Sequence, residues 1–167
     1  HITYALAGVD IIANASASHH SLRKLRDRVR LLTSATEKAG GAYLYANQVG
    51  CDGGRLYYDG SALIALNGAI LAQGHQFMLH SEKEVITATI DLDDILSYRL
   101  GIASRGVQAS NLPDSSHCPL LHRVHLPATF TVCQIDAGPL PLGITLPLPS
   151  VRHWAPEQEI AQGPACW

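Results

Sequence analysis

Apolar residues in the first third of the chain follow two periods that together predict a strand–helix–strand unit. Residues 9–15 and 42–47 are short, nearly continuous apolar runs, which are typical of buried strands. Between them, over residues 19–39, apolar residues recur at steps of three and four and predict an amphipathic helix. A helix linking two buried strands indicates an α/β fold in which the helix covers a sheet.

The predicted helix carries possible end signals on both sides. Ser16 or Ser18 could cap its start, because a hydroxyl oxygen can accept a hydrogen bond from a free amide of the first turn. The Gly40-Gly41 pair at its end favours a left-handed C-terminal cap.

The period changes to two after residue 54, which predicts antiparallel strands. Residues 55–58 form one short run, and residues 62–66 and 69–72 flank Asn67-Gly68. Asn-Gly predicts a two-residue hairpin turn, because both turn positions require a positive φ angle.

Two more regular segments come before a proline-rich tail. Residues 84–90 alternate and are β-branched, which favours a further strand, and the acidic run that begins at Asp91 predicts a short helix. All nine prolines lie at Pro113 or later. Because proline lacks an amide donor, we expect loops and edge strands in this tail.

Composition excludes several classes of protein. The 167 residues are 47% hydrophobic and 16% charged, with a formal net charge of −2. A disordered chain would be less apolar, and a protein that binds nucleic acid through phosphate contacts would be basic. No apolar run approaches the ~20 residues that span a bilayer. The four scattered cysteines favour reduced thiols and a cytoplasmic location.

Taken together, four segments carry a resemblance to a known family. They are IIANASASHHSLRK (11–24), YANQVGCDGGRLYYDG (45–60), ATIDLDD (88–94) and PEQEIAQGPACW (156–167). They resemble the second half of the amidase domain of eukaryotic-type glutamine-dependent NAD synthetases, within the nitrilase-like carbon–nitrogen hydrolase superfamily. The resemblance implies a partial nitrilase-like four-layer α-β-β-α sandwich. It assigns 1–149 to the hydrolase domain and 150–167 to a linker toward a synthetase domain.

The same resemblance implies a function for a larger parent protein. In this family the amidase domain hydrolyses glutamine through a Cys–Glu–Lys triad. The synthetase domain then makes NAD from nicotinic acid adenine dinucleotide, ATP and the released ammonia. The triad would lie before this chain, and the ATP and Mg²⁺ sites after it. We therefore expect a catalytically inactive fragment without a cofactor of its own, from a homo-oligomeric enzyme. The alternative is a truncated, non-catalytic module that binds full-length subunits.

Ser18 and Lys24 are the candidate glutamine-binding residues. The resemblance implies that a serine and a basic residue at these positions hold the substrate. A loop that enters a helix can also direct free amide groups at the substrate α-carboxylate, and Lys24 would add a positive charge. The alternatives are that Ser18 only caps the helix and that Lys24 only faces water.

Cys51 is not expected to be a nucleophile. The adjacent Asp52 would raise its thiol pKa, whereas a catalytic cysteine needs a lowered pKa or a neighbouring base. The preferred interpretation is a loop role with Asp52 and Arg55, near the mouth of the amidase site that the resemblance implies.

Three other groups of residues also favour structural interpretations. Possible metal ligands fit no standard zinc spacing: His117, Cys118, His122 and His125. Arginines that could form an RNA-binding stripe are better explained by a solvated face or a subunit contact: Arg23, Arg26 and Arg30, with Arg28 nearby. Tyrosines are expected to pack across a sheet: Tyr43, Tyr45, Tyr57 and Tyr58.

Overall fold

Helices and strands alternate through most of the described chain. The computed structural model describes residues 1–78, 83–111, 122, 124–125 and 143–165. The helices are α1 (Ile2–Leu6), α2 (Lys24–Ala39), α3 (Leu92–Leu100), α4 (Ala103–Ser110) and α5 (Pro156–Ala165). The strands are β1 (Ile11–Ser16), β2 (Ala42–Asn47), β3 (Val49–Cys51), β4 (Tyr57–Asp59), β5 (Leu63–Leu66) and β6 (Ala69–Gln73).

A four-stranded sheet with the order β1-β2-β5-β6 forms the centre of the fold. β1 and β2 pair in parallel and are joined by α2, which confirms the predicted strand–helix–strand unit. β5 and β6 continue the sheet in antiparallel register, and β3 and β4 form a separate antiparallel ladder. Because β1 and β2 are parallel, their carboxyl ends meet at one edge of the sheet, next to the start of α2.

The core lies between α2 and one face of the sheet. Its buried members are Leu25, Leu32, Tyr45, Leu63, Ala65 and Ile70. Burying each large aliphatic side chain contributes about 2 kcal/mol of hydrophobic stabilisation. The α/β prediction is confirmed: the described residues form one helical layer on one sheet, as one half of a four-layer sandwich would.

The hairpin predicted at Asn67-Gly68 is present between β5 and β6. Asn67 has φ 48° and Gly68 has φ 92°, so both turn positions adopt the positive φ that the turn requires. The amide of Gly68 donates to Thr36 Oγ1 at 3.0 Å, which fixes the turn against the end of α2.

The two ends of α2 differ from the predictions. The helix begins at Lys24 rather than near residue 19, and neither Ser16 nor Ser18 caps it. At its other end Gly40 has φ 65° and ψ 141°, which is not the left-handed helical conformation expected. A β-carbon on Gly40 would lie 2.7 Å from Cγ of Arg99, so glycine is required there by close packing as well as by its φ angle.

Two predictions along the rest of the chain are also corrected. Residues 84–90 are not a strand: Val85 is 85% exposed, and the segment has no ladder partner within the described residues. An extended segment is stable as a strand only when its amides pair with a neighbour. The tail contains a helix, α5, whose Pro156 lies in the first turn, where a missing amide hydrogen costs nothing. The helix predicted at Asp91 is confirmed, since the Asp91 carboxylate accepts from the Asp93 amide.

Candidate functional site

Ser18 lies in the loop that joins the carboxyl end of β1 to α2. Its backbone amide donates to Asn47 Oδ1 at 2.8 Å, and its Oγ accepts a hydrogen bond from Arg28 Nε at 3.1 Å. Its carbonyl accepts from Asn47 Nδ2 and Arg28 Nη2. These contacts fix the serine by tertiary interactions, so the helix-capping alternative is wrong.

A buried ion pair supports this loop. Arg28 Nη2 lies 2.7 Å from Asp59 Oδ1, and the two side chains are 6% and 0% exposed. Gln76 Nε2 donates to the other carboxylate oxygen of Asp59 at 2.8 Å. We call Arg28, Asp59, Gln76 and Asn47 the loop support. Arg28 is therefore not part of a solvated stripe, because its guanidinium group is committed to Asp59 and to the Ser18 loop.

Lys24 folds back onto the same loop. Its Nζ donates to the carbonyl oxygen of His19 at 2.9 Å and lies 3.5 Å from His19 Nε2. The His19 carbonyl also accepts from Arg28 Nη2 at 3.2 Å, so one backbone oxygen links Lys24 to the loop support. The structure thus brings both predicted binding residues to one loop, and Lys24 does not simply face water.

The amino-terminal end of α2 is already occupied by an anion from the chain itself. The Glu159 carboxylate accepts from the Arg23 amide at 2.8 Å and lies 3.8 Å from Arg23 Nη1 and 3.5 Å from His20 Nε2. The expected arrangement, in which loop amides bind the substrate carboxylate, is therefore wrong for the amides of Ser18 and Arg23. Both amides donate to side chains of the chain itself. Among these groups, the Ser18 hydroxyl and the Lys24 ammonium group are not bound to Glu159.

Aromatic rings pack beside this loop. Phe77 lies edge-on to His20 at 5.1 Å and to Trp154 at 6.5 Å, and it stacks on Tyr57 at 6.2 Å between ring centroids. Contacts of this kind stabilise partly buried rings by about 1 kcal/mol each. They join the loop to the segment that leads into α5.

The rim of the site is positively charged. Burial lowers the pKa of His153, and the guanidinium groups of Arg26 and Arg23 lower it further, against an opposing effect of Glu159. Burial and the neighbouring arginines thus favour the neutral form of His153. A surface of this kind favours a ligand that carries a carboxylate.

Cys51 is the last residue of β3, and Asp52 follows it in the turn that leads to β4. Asp52 Oδ1 accepts hydrogen bonds from the amides of Gly54, Arg55 and Leu56 at 2.9–3.0 Å. These bonds, that of Gly54 foremost, lower the pKa of Asp52. The carboxylate therefore shapes the turn, as the structural interpretation of this loop expected.

The residues weighed as possible metal ligands in the sequence are His117, Cys118, His122 and His125. His117 and Cys118 lie outside the described residues. Among those described, no three histidine, cysteine or acidic side chains lie close enough to hold an ion. Nor does any helix in the described ranges reach the length and apolarity needed to cross a membrane.

Sequence reasoning missed the loop support and Glu159. A signal existed for Arg28, which stands three residues after Leu25 and four before Leu32, on the apolar stripe of α2. A charged residue at such a position indicates a buried partner. No local pattern marks Glu159, whose contacts lie 136 residues away in the sequence.

Comparison with known proteins agrees with the resemblance found in the sequence. The carbon-nitrogen hydrolase family model matches residues 1–100. All of the chain aligns with the glutamine-dependent NAD(+) synthetases of Saccharomyces cerevisiae, at 48% identity, and of Homo sapiens, at 50% identity. It covers 22% of each of those proteins, so the chain spans about a fifth of their length.

A solved structure shows a weaker likeness. A glutamine-dependent NAD(+) synthetase from Cytophaga hutchinsonii is 31% identical, with a TM-score of 0.44, over 48% of this chain and 13% of that one. The family assignment rests instead on the sequence match, which extends over more than half of the chain. The chain belongs to the carbon–nitrogen hydrolase family.

Proposed function

We propose that this chain forms one wall of the glutamine site in a glutamine-hydrolysing NAD synthetase. The parent enzyme would make NAD from nicotinic acid adenine dinucleotide, ATP and glutamine. Its Cys–Glu–Lys triad, and the sites for ATP and Mg²⁺, would lie in the rest of the parent protein. This chain alone would be inactive, and the parent would be a cytoplasmic homo-oligomer. Similarity to such synthetases along the whole chain supports this proposal.

The geometry of Ser18 carries the proposal. Its Oγ accepts from Arg28, and within the described part of the chain its own hydroxyl hydrogen is not committed to an acceptor. A hydroxyl fixed in this way can donate to a substrate oxygen without reorganising. The ammonium group of Lys24, the first residue of α2, is held against the same loop and supplies the positive charge that an amino-acid carboxylate needs.

The test uses full-length protein carrying Ser18→Ala or Lys24→Ala. Each change should raise the KM for glutamine by about tenfold, because one hydrogen bond or ion pair to the substrate is lost. NAD formation from added ammonia should stay within about twofold of wild type, because ammonia bypasses glutamine hydrolysis.

Two exposed residues of the same types provide matched controls. Ser21→Ala changes a serine in the same loop, and Lys38→Ala changes a lysine in the last turn of α2. Neither should alter the KM for glutamine. An unchanged KM in the Ser18 and Lys24 variants, or an equal loss with ammonia, would place the glutamine site elsewhere.

A second candidate function is a non-catalytic module that binds full-length subunits. It is favoured by an exposed apolar row on α3 at a spacing of four, formed by Leu92, Leu96 and Leu100. Co-purification of this chain with full-length subunits, lost when Leu96 is changed to Glu, would favour it. Glutamine-dependent activity that responds to Ser18→Ala in the full-length protein favours the first candidate.

A further inference from the structure

One buried carboxylate on α5 stands out from its exposed neighbours. Glu159 is 3% exposed, whereas Glu157, Gln158 and Ile160 on the same helix are exposed. Removing a charged carboxylate from water is costly unless it finds charged or hydrogen-bonding partners. The partners of Glu159 therefore indicate what the burial achieves.

All of these partners belong to the loop that carries the predicted binding residues. The carboxylate accepts from the amide of Arg23 and lies close to the side chains of Arg23 and His20. Arg23 itself has φ 67°, a left-handed conformation that a non-glycine residue keeps only when its surroundings hold it. Arg23 immediately precedes Lys24, so this conformation sets the direction in which the helix and Lys24 leave the loop.

The start of α5 is built to present Glu159 at this position. The side chain of Gln158 accepts from the amide of Ala155 at 3.0 Å, and the amide of Glu159 donates to the Ala155 carbonyl at 2.9 Å. Arg23 Nη1 also donates to the carbonyl of Trp154 at 3.0 Å. Arg23 thus forms hydrogen bonds with two successive parts of the tail, namely the end of its extended segment and the first turn of α5.

We propose that Glu159 is a positioning residue for the glutamine site. Docking of α5 holds residues 19–24 in the conformation that directs Ser18 and Lys24 toward the substrate. The affinity for glutamine then depends on a segment far away in the sequence. This inference rests on the proposed function, because it assigns the loop the same substrate.

The experiment compares Glu159→Ala, Glu159→Gln and the control Glu157→Ala in the full-length protein. Glu159→Ala should raise the KM for glutamine by about tenfold and leave the ammonia-driven rate within about twofold of wild type. Glu159→Gln keeps an acceptor for the Arg23 amide but loses the charge, so its KM should rise by about threefold. Glu157→Ala should change neither quantity.

Hydrogen exchange supplies a readout that is independent of activity. In Glu159→Ala the amides of residues 19–25 should exchange about tenfold faster, while those of β1 and β2 keep their protection. Glu157→Ala should leave the exchange of both regions unchanged. If Glu159→Ala does not fold, the KM and the exchange of Glu159→Gln decide the question.

The outcomes separate this inference from the proposed function. A normal KM for glutamine in both Glu159 variants, with a raised KM in Ser18→Ala, overturns the positioning role alone. A parallel loss of the glutamine and ammonia reactions also overturns it, because that pattern indicates general destabilisation. A wild-type protein without glutamine-dependent activity overturns both proposals.

Discussion

Two buried arginines stand at opposite ends of the parallel pair β1–β2, and their surroundings differ. At the amino end, each guanidinium nitrogen of Arg99 donates to a defined acceptor: Asp10 Oδ1, the Val9 carbonyl or the Gly40 carbonyl. At the carboxyl end, Arg28 bonds Ser18, His19 and Asp59. Its Nη1, however, is buried without a partner among the described residues.

The neighbours of the two arginines deepen this contrast. Gln76 Oε1 and Ser61 Oγ, at the Arg28 end, are also buried and unpaired within the described ranges. Asp59 is fully buried, whereas Asp10, which pairs with Arg99, is 52% exposed. Native structures satisfy most buried polar groups, so a concentration of unpaired ones calls for a specific explanation. At the Arg99 end every guanidinium nitrogen has an acceptor. At the Arg28 end, buried donors and acceptors without a partner among the described residues could bind a ligand or another segment.

Arg28→Met should have the largest effect on stability. It leaves the Asp59 carboxylate buried without its counter-charge, which costs about 4 kcal/mol. Native-state hydrogen exchange of the β1 and β2 amides in the full-length protein measures this loss. A loss below about 1 kcal/mol would show that Asp59 does not depend on Arg28.

Arg99→Met should cost less, although it removes more hydrogen bonds. Its carboxylate partner, Asp10, is half exposed and can return to water, so we expect a loss of about 2 kcal/mol. The same exchange experiment serves both variants. An equal or larger loss than in Arg28→Met would remove the contrast between the two ends of the sheet.

The smallest effect on stability is expected at Asp52, which contacts neither Arg28 nor Arg99. Its turn should keep its order at neutral pH and lose it in acid. Because the pKa of the folded form lies below the ordinary value of 3.8, the stabilisation is complete above that value and declines as pH falls below it. Amide exchange of residues 54–56 between pH 6 and pH 2, corrected for the intrinsic pH dependence of exchange, tests this. Asp52→Asn should remove the effect, and the β5–β6 hairpin, which contains no acidic residue, serves as the internal control.

Elements decided by neighbouring residues could be predicted from the sequence. The hairpin at Asn67-Gly68 and the helix predicted at Asp91 depend on signals within a few residues, and both are present. The strand–helix–strand unit follows from two hydrophobic periods, and it is also present. Residues 84–90 carry an equally clear local pattern but form no strand, because a strand needs a partner that the pattern does not specify.

The candidate site was only partly predictable for the same reason. Ser18 and Lys24 were proposed through the family resemblance, and in the structure Ser18 lies in the loop while Lys24, at the start of α2, bonds back to it. Local signals put the start of α2 near residue 19, whereas the structure begins it at Lys24. At this start the Arg23 amide donates to Glu159, a contact that spans 136 residues. Spacing along the sequence carries no information about such a contact.

The hairpin turn also affects how readily Asn67 undergoes deamidation. In a flexible Asn-Gly pair, the glycine nitrogen attacks the asparagine side-chain carbonyl and expels ammonia, which leaves a cyclic imide in the backbone. Here the Gly68 nitrogen donates to Thr36 Oγ1, and Asn67 Oδ1 accepts from the Gly41 amide at 2.9 Å. Both reacting groups are thus engaged by other parts of the fold. The same residues that define the turn are protected from deamidation while α2 and the sheet stay packed, and they become vulnerable when that packing opens.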